Sequence, residues 1–470
     1  MRAARMAALA AAASAAVTAP PRGWNSYDSF TANVNESSFL ANCQAMADLL
    51  LPHGFDTCVI DYLWYQTASN VWMLDDYCRP IPNVEKWPSS AGGKGFKPVA
   101  DRVHAMGLRF GIHIMRGTST HAREKNCVVK GTAGVRIADI LDGSDEGRCP
   151  WKAESLGLDM SRPGAQAFYD SLYEQYALEW DVDFIKNDCV FRSRRVDEIR
   201  AQAHSIERVA PTRPIVYSLS PGISENFADE ARLADRVLDA VNMYRITDDD
   251  WDVWGELAVH FDAAAAFASR IGRPGLLGGQ SFPDLDMLPI GFVARPGDSH
   301  RAPDHWTALT RDEQTTQVTL WAMARSPLFF GGDVTELRLK GNANATFTLS
   351  LLTNDAVLGL NHASSANREV RRDGGLRVWA AALATNATFA AAFFNIGDAP
   401  RKAASVRTTT VLGDAAASWT WCDTSDMWSG QPLGRVDVTE DSELTVAELP
   451  AHGSRVLELR CSAGAALLWS

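Results

Sequence analysis

From about Arg22 to Gly332 the sequence alternates short β-rich runs with longer helical patterns, and this alternation restricts the fold more than any other feature. The strand candidates are Gly23-Trp24-Asn25, Thr57 to Asp61, Arg109 to Met115, Asp183 to Asp188, Ile215 to Ser218, Ala240 to Tyr244, Gly275 to Gly278 and Leu328 to Phe330. Val99 to Met106, closed by Gly107, and the amphipathic stretch Ala165 to Leu178 read as two of the intervening helices. Regular βα alternation predicts a parallel sheet with crossover helices, and eight repeats favour a closed (β/α)8 TIM barrel over an open doubly wound sheet. Polar residues gather at the carboxyl ends of these runs, where barrel enzymes place their chemistry. No Gly-x-Gly-x-x-Gly turn opens the first helix, which argues against a dinucleotide fold.

After about Leu360 the pattern changes. Leu376–Ala381, Phe389–Phe394, Ser405–Val411, Ser418–Cys422, Leu444–Ala447 and Ser454–Leu459 are strand-like and separated by Gly, Pro and Asp turns, the pattern of an antiparallel β-sandwich. The expected organisation is a leader at 1–19, a catalytic barrel at 20–360 and a C-terminal β-sandwich domain at 361–470. The sandwich shows no carboxylates clustered at strand ends, so it is read as packing or sugar contact.

Arg2 and Arg5 precede an apolar run from Met6 to Val17, with Thr18 and Ala19 as small residues near a cleavage site. That is the layout of a secretory signal; a transit peptide is the competing reading, and Pro20 and Pro21 disfavour a cut directly after Ala19. No later stretch reaches transmembrane length. Eight cysteines and the sequons at Asn35, Asn344 and Asn386 agree with an oxidising route to a secreted, endomembrane or vacuolar-lysosomal location. The cysteines include no Cys-x-x-Cys pair, so no zinc site is expected. A formal charge of −12 argues against a nucleic-acid partner, which needs a basic face.

Glycoside hydrolysis uses two carboxyl groups flanking one bond. Asp188 ends a hydrophobic strand and Lys186 lies two residues earlier on the same face, which would keep an attacking carboxylate ionised. A surface ion pair is the bland alternative. Tyr244-Arg245-Ile246-Thr247-Asp248-Asp249-Asp250-Trp251 supplies the second group: clustered acids raise each other's pKa, as a general acid needs, and Arg245 would hold one of them ionised. One of the three acids serves equally well as a helix N-cap, and spacing alone does not say which is catalytic. Trp24, Trp64 and Tyr65 are candidates for stacking on a sugar ring, although buried aromatics are commoner in barrels. Asp61 and Asp286 stand at expected strand mouths and suit sugar hydroxyls. His113 has no second ligand at metal spacing and reads as a core or hydroxyl-binding histidine.

Together these segments resemble glycoside hydrolase family 27, the α-galactosidase and α-N-acetylgalactosaminidase family. The likeness runs from Gly23-Trp24-Asn25-Ser26 to Leu351-Leu352-Thr353-Asn354-Asp355 and is nearest the bacterial-type branch, through Ala91-Gly92-Gly93-Lys94-Gly95-Phe96-Lys97-Pro98, Gly111-Ile112-His113-Ile114-Met115-Arg116-Gly117 and Ser218-Leu219-Ser220-Pro221-Gly222. The resemblance implies Asp188 as nucleophile two residues after Lys186, and Asp249, four after Arg245, as acid/base. It also implies sugar contacts at Asp286 in Pro283-Asp284-Leu285-Asp286-Met287, ring stacking on Trp24, a hydroxyl-binding Asp61, and a Cys149–Cys189 disulfide. Two positions depart from the family pattern. Tyr62 replaces a second hydroxyl-binding aspartate, and Ser220 replaces the glutamate that reads the 2-hydroxyl.

The expected activity is a retaining exo-glycosidase acting on terminal α-D-galactosides of an oligosaccharide, glycan or glycolipid, with no cofactor or metal. The alternatives are β-L-arabinopyranoside, α-N-acetylgalactosaminide or α-glucan specificity on the same machinery, or a non-catalytic carbohydrate-binding protein.

Overall fold

The computed structural model describes residues 16–190, 196–220, 234–295, 303–383 and 387–463. Most of the expected leader, at 1–15, and the sequon at Asn386 lie outside them; Asn35 and Asn344 are exposed. Eight parallel strands form the first half: β1 (Arg22–Asn25), β2 (Thr57–Ile60), β3 (Arg109–Met115), β4 (Phe184–Asp188), β5 (Val216–Ser220), β6 (Met243–Arg245), β7 (Gln280–Asp284) and β8 (Leu328–Phe330). Their order is β8-β1-β2-β3-β4-β5-β6-β7. Leu288, just beyond β7, bridges in parallel to Phe330 of β8 and closes the ring.

The seventh strand is displaced from its expected place. Gly275 to Gly278 is a tight turn with Leu277 at φ 57° and Gly278 at φ 72°, conformations that exclude a strand there. The strand begins two residues later, at Gln280, and Gln280 N–H donates to Val17 O at 2.6 Å beneath the barrel.

Helices α1 (Glu36–Leu49), α2 (Lys97–Ala105), α3 (Ala165–Glu174), α4 (Val196–Val209), α5 (Trp254–Phe267) and α6 (Arg311–Met323) surround the strands. Local signals start several of them. Asn35 accepts from the Ser37 and Ser38 amides at the head of α1, and Thr310 and Glu313 form a reciprocal capping box at α6.

Strand alternation sorts side chains between two cores. Val59, Phe184, Val216, Met243 and Phe329 fill the barrel interior, whereas Trp24, Cys58, Ile60, Ile185, Tyr217 and Tyr244 pack toward the helices. Gly111 of β3 permits this filling, since a Cβ there would stand 2.9 Å from Val59 and 3.0 Å from Phe184.

Beyond helix α7 (Asp355–Ala363) the chain is antiparallel. Strands β9 (Ser365–Asp373), β10 (Leu376–Ala382), β11 (Thr388–Asn395), β13 (Trp421–Asp426), β14 (Pro432–Asp437) and β16 (Ser454–Ser462) form a sheet in the order β9-β10-β11-β16-β13-β14. Strand β12 (Ala404–Arg407) pairs with β15 (Glu443–Val446). The expected strand Ser405–Val411 is cut short, because Thr408–Leu412 turns into a short helix. Strands β9 and β14 were not anticipated: both are largely solvent-facing and carry few large apolar residues to mark them.

Candidate active site

A cavity of about 590 Å³ opens at the carboxyl ends of the barrel strands. Period-two alternation carries functional groups into it. In β4, Phe184 points into the barrel core and Lys186 and Asp188 follow on the same face; in β6, Met243 is followed by Arg245, and in β2, Val59 is followed by Asp61. Asp188, Asp249, Asp61, Tyr62, His113, Lys186, Ser220, Arg245 and Asp286 all line this one cavity. Strands β4 and β6 are separated only by β5, so their backbones stand about 10 Å apart and side chains from both reach a common centre.

Asp188 is held by two donors. Its Oδ2 lies 3.0 Å from His113 Nε2 and its Oδ1 accepts from the Cys189 amide at 2.6 Å. The direct partner of Lys186 is not Asp188, as the spacing suggested, but Asp61, at 2.9 Å. Strand order explains this: Lys186 sits one layer deeper than Asp188, level with the floor where Asp61 leaves β2. Asn25 donates to the same Asp61 oxygen at 2.7 Å, and the Tyr62 amide occupies the other at 2.8 Å. Burial pushes the Asp61 carboxyl up, but Lys186 and His113 outweigh it and hold the group well below the usual carboxylate range.

On the other wall, Arg245 donates Nη1–H to Asp286 Oδ1 at 2.8 Å and Nη2–H to Asp249 Oδ1. Asp286 Oδ2 accepts from the Asp250 amide at 2.8 Å. Each Asp286 oxygen thus accepts from a protein donor, which braces the Arg245–Asp249 pair, and the residue also lines the cavity. The three consecutive acids do not behave alike. Asp250 is fully buried, and desolvation with Asp286 and Asp28 nearby raises it well above the ordinary value. Asp249, 71% exposed toward the cavity, is pushed up by its surroundings but pulled further down by Arg245, so it ends lower instead of raised. Asp250 is thus raised by burial and by acids from other parts of the chain, not by its neighbours in the run, and Asp249 is lowered by the guanidinium beside it.

Trp24 does not reach the cavity. It is wholly buried, donates to Gly332 O at 2.9 Å and packs on Phe30 and Phe39, because its strand position faces the helices. The aromatic that lines the cavity just after β1 is Tyr27, the first residue of the short helix Tyr27–Phe30, whose amide donates to Asn25 Oδ1 at 2.9 Å; strand alternation stops at Asn25 and gave no signal for it. Trp64 and Tyr65 are also buried outside the cavity. Tyr27, Tyr62, Trp151 and Trp251 form a continuous aromatic wall, with centroid spacings of 5.9 Å from Trp151 to Tyr62, 6.2 Å from Tyr62 to Tyr27 and 6.1 Å from Tyr27 to Trp251. A disulfide joins Cys149 to Cys189, the residue next to Asp188. Among the described residues the grouping closest to a metal-ligand set, Asp101, His104 and Asp181, lies apart from this cavity, and Lys97 and Asp183 already satisfy it.

Known proteins share this fold. A crystallised GH27 β-L-arabinopyranosidase from Geobacillus stearothermophilus superposes with a TM-score of 0.83 at 36% identity, over 96% of this chain and 98% of that one. The chain belongs to glycoside hydrolase family 27. A putative α-N-acetylgalactosaminidase from Bacillus halodurans aligns at 33% identity and TM-score 0.79, over 94% and 97% of the two chains. An α-galactosidase of Oryza sativa subsp. japonica is 26% identical over 78% of this chain and 69% of its own length. Family models described as "Alpha galactosidase A" and "Alpha galactosidase C-terminal beta sandwich domain" match residues 158–362 and 373–459. As a family 27 chain, the protein is a glycoside hydrolase whose substrates are α-galactosides or related sugars.

Proposed function

We propose that this family 27 enzyme is a retaining exo-glycosidase that releases a terminal sugar of galacto configuration, with β-L-arabinopyranose preferred to α-D-galactose. The two sugars share ring stereochemistry and differ only in the hydroxymethyl group at C5. Tyr62 carries this choice. Its half-buried ring fills the cavity wall where the family's aspartate would meet that arm, and it is braced by His113, Trp151 and Tyr27. Ser220, which stands where the family's glutamate would read the 2-hydroxyl, lines the cavity and brings no charge of its own to it.

In this reading the Asp188 carboxylate attacks the anomeric carbon while the glycosidic C–O bond breaks and Asp249 gives its proton to the leaving oxygen. Asp249 then removes a proton from water, the water oxygen bonds to the anomeric carbon, and the ester to Asp188 is released with net retention. The His113 and Cys189 donors keep Asp188 oriented, and Arg245 stabilises Asp249 once it has lost its proton. Retention calls for carboxyl groups about 5–5.5 Å apart, against about 6.5–9.5 Å for inversion. Residues 20–360 serve as the catalytic barrel and 361–470 as the sandwich. The disulfides Cys78–Cys127, Cys149–Cys189 and Cys422–Cys461 support an oxidising destination reached through the leader at 1–19.

Asp188→Ala is the direct test of the roles. Turnover should vanish with the fold intact, and azide should restore product of inverted configuration by entering the vacated space. Near-full activity without azide would refute the assignment.

A further inference from the structure

Among the described residues Trp151 is the one tryptophan left 43% exposed, and it stands on the rim of the cavity that holds Asp188. A lone exposed aromatic needs no explanation, but this one is packed against the cavity wall and flanked by a disulfide. Its neighbour Cys149 is bonded to Cys189, its ring leans on Tyr62 at 5.9 Å, and Lys152 beside it lies 5.7 Å over the Tyr62 ring and 3.8 Å from Glu154. Exposure rises along the contacts that lead to it: His113, 3.0 Å from Asp188, is buried; Tyr62, 5.6 Å from His113, is half-buried; and Trp151, 5.9 Å from Tyr62, is exposed. In the glycosidase reading, a terminal sugar placed for attack by Asp188 sits in the cavity beside Tyr62, and the ring still joined to it through the glycosidic oxygen extends toward the mouth, where Trp151 stands.

We infer that Trp151 is the stacking platform for the leaving sugar, so that the natural substrate is a disaccharide or longer chain whose second ring is a pyranose. The inference rests on the glycosidase reading above. A rigid indole offers its face to the apolar side of a pyranose at little entropic cost, and the Cys149–Cys189 bridge ties that platform to the residue beside Asp188.

The test compares substrates with and without a second ring, for both candidate sugars: α-D-galactosyl fluoride with melibiose, and β-L-arabinopyranosyl fluoride with a disaccharide bearing that sugar at its non-reducing end. Fluoride departs without a ring to stack. Trp151→Ala should lower kcat/KM on the disaccharide about tenfold more than on the fluoride, and Trp151→Phe should recover most of that difference where Trp151→Leu does not. Equal loss on both substrates, or none on the disaccharide, overturns the platform. A wild-type protein inert on both fluorides instead overturns the glycosidase reading, and the platform with it.

Discussion

Replacing Tyr62 with alanine should exchange the sugar preference. The ring is pinned by His113 at 5.6 Å, Trp151 at 5.9 Å, Tyr27 at 6.2 Å and Lys152 at 5.7 Å, while its amide is tied to Asp61. Moving it aside for a hydroxymethyl group would break several of these contacts, each worth about 0.5–1.5 kcal/mol. A pocket of this kind separates substrates differing by one small group by about 1–3 kcal/mol, so a central figure of about 2 kcal/mol corresponds to about thirtyfold. The assay is the ratio of kcat/KM for 4-nitrophenyl β-L-arabinopyranoside and 4-nitrophenyl α-D-galactopyranoside. The wild type should favour the first. Tyr62→Ala should shift the ratio about thirtyfold toward the second, and Tyr62→Phe should leave it near wild type, since bulk and not the hydroxyl decides. A ratio unmoved by the alanine, or a wild type that favours galactoside, would refute the steric argument.

Other consequences are equally specific. Asp249→Ala should slow substrates with poor leaving groups by about 10²–10⁴ while sparing 2,4-dinitrophenyl glycosides, and equal loss on both would count against an acid role. Because Arg245 holds Asp249 low and the first step needs it protonated, activity on poor leaving groups should decline as pH rises, with the midpoint on the acid side; a flat profile into the alkaline range would contradict this. Buried Asp284 is pushed up to about 7 by desolvation and by Asp286, so it favours the fold fully below its unfolded value near 4 and loses that contribution as pH rises through about 7. Asp284→Asn should therefore flatten the fall in Tm between those limits, and an unchanged slope would argue against a neutral carboxyl there. The Cys149–Cys189 bridge spans 40 residues, and its removal should cost about 4 kcal/mol by loop entropy, read as a shift in the urea midpoint.

Much of the barrel was legible because its signals are local and periodic. Apolar runs ending in carboxylates marked β2 and β4, and the same period of two puts Lys186 and Asp188 on one face. The glycine-rich segment before β7 misled because Gly and Leu mimic an apolar strand while their positive φ angles make a turn. Pairings across the barrel were not legible. Lys186 meets Asp61 from 125 positions away, and Asp286 reaches Arg245 from 41 away, so the charge balance of the acid run depended on contacts that spacing does not encode. Trp24 was misplaced for a simpler reason: it is one position out of phase with the cavity, and Tyr27 is the ring that enters.

The central claim is that the Asp188 carboxylate forms a covalent bond to the sugar. The most direct measurement is mass spectrometry of the protein inactivated with 2-deoxy-2-fluoro glycosyl fluorides of both sugars, followed by peptide mapping. The account calls for one glycosyl mass increment on the peptide containing Asp188, absent in Asp188→Ala; an increment on another residue, or none while hydrolysis proceeds with inversion, would contradict it.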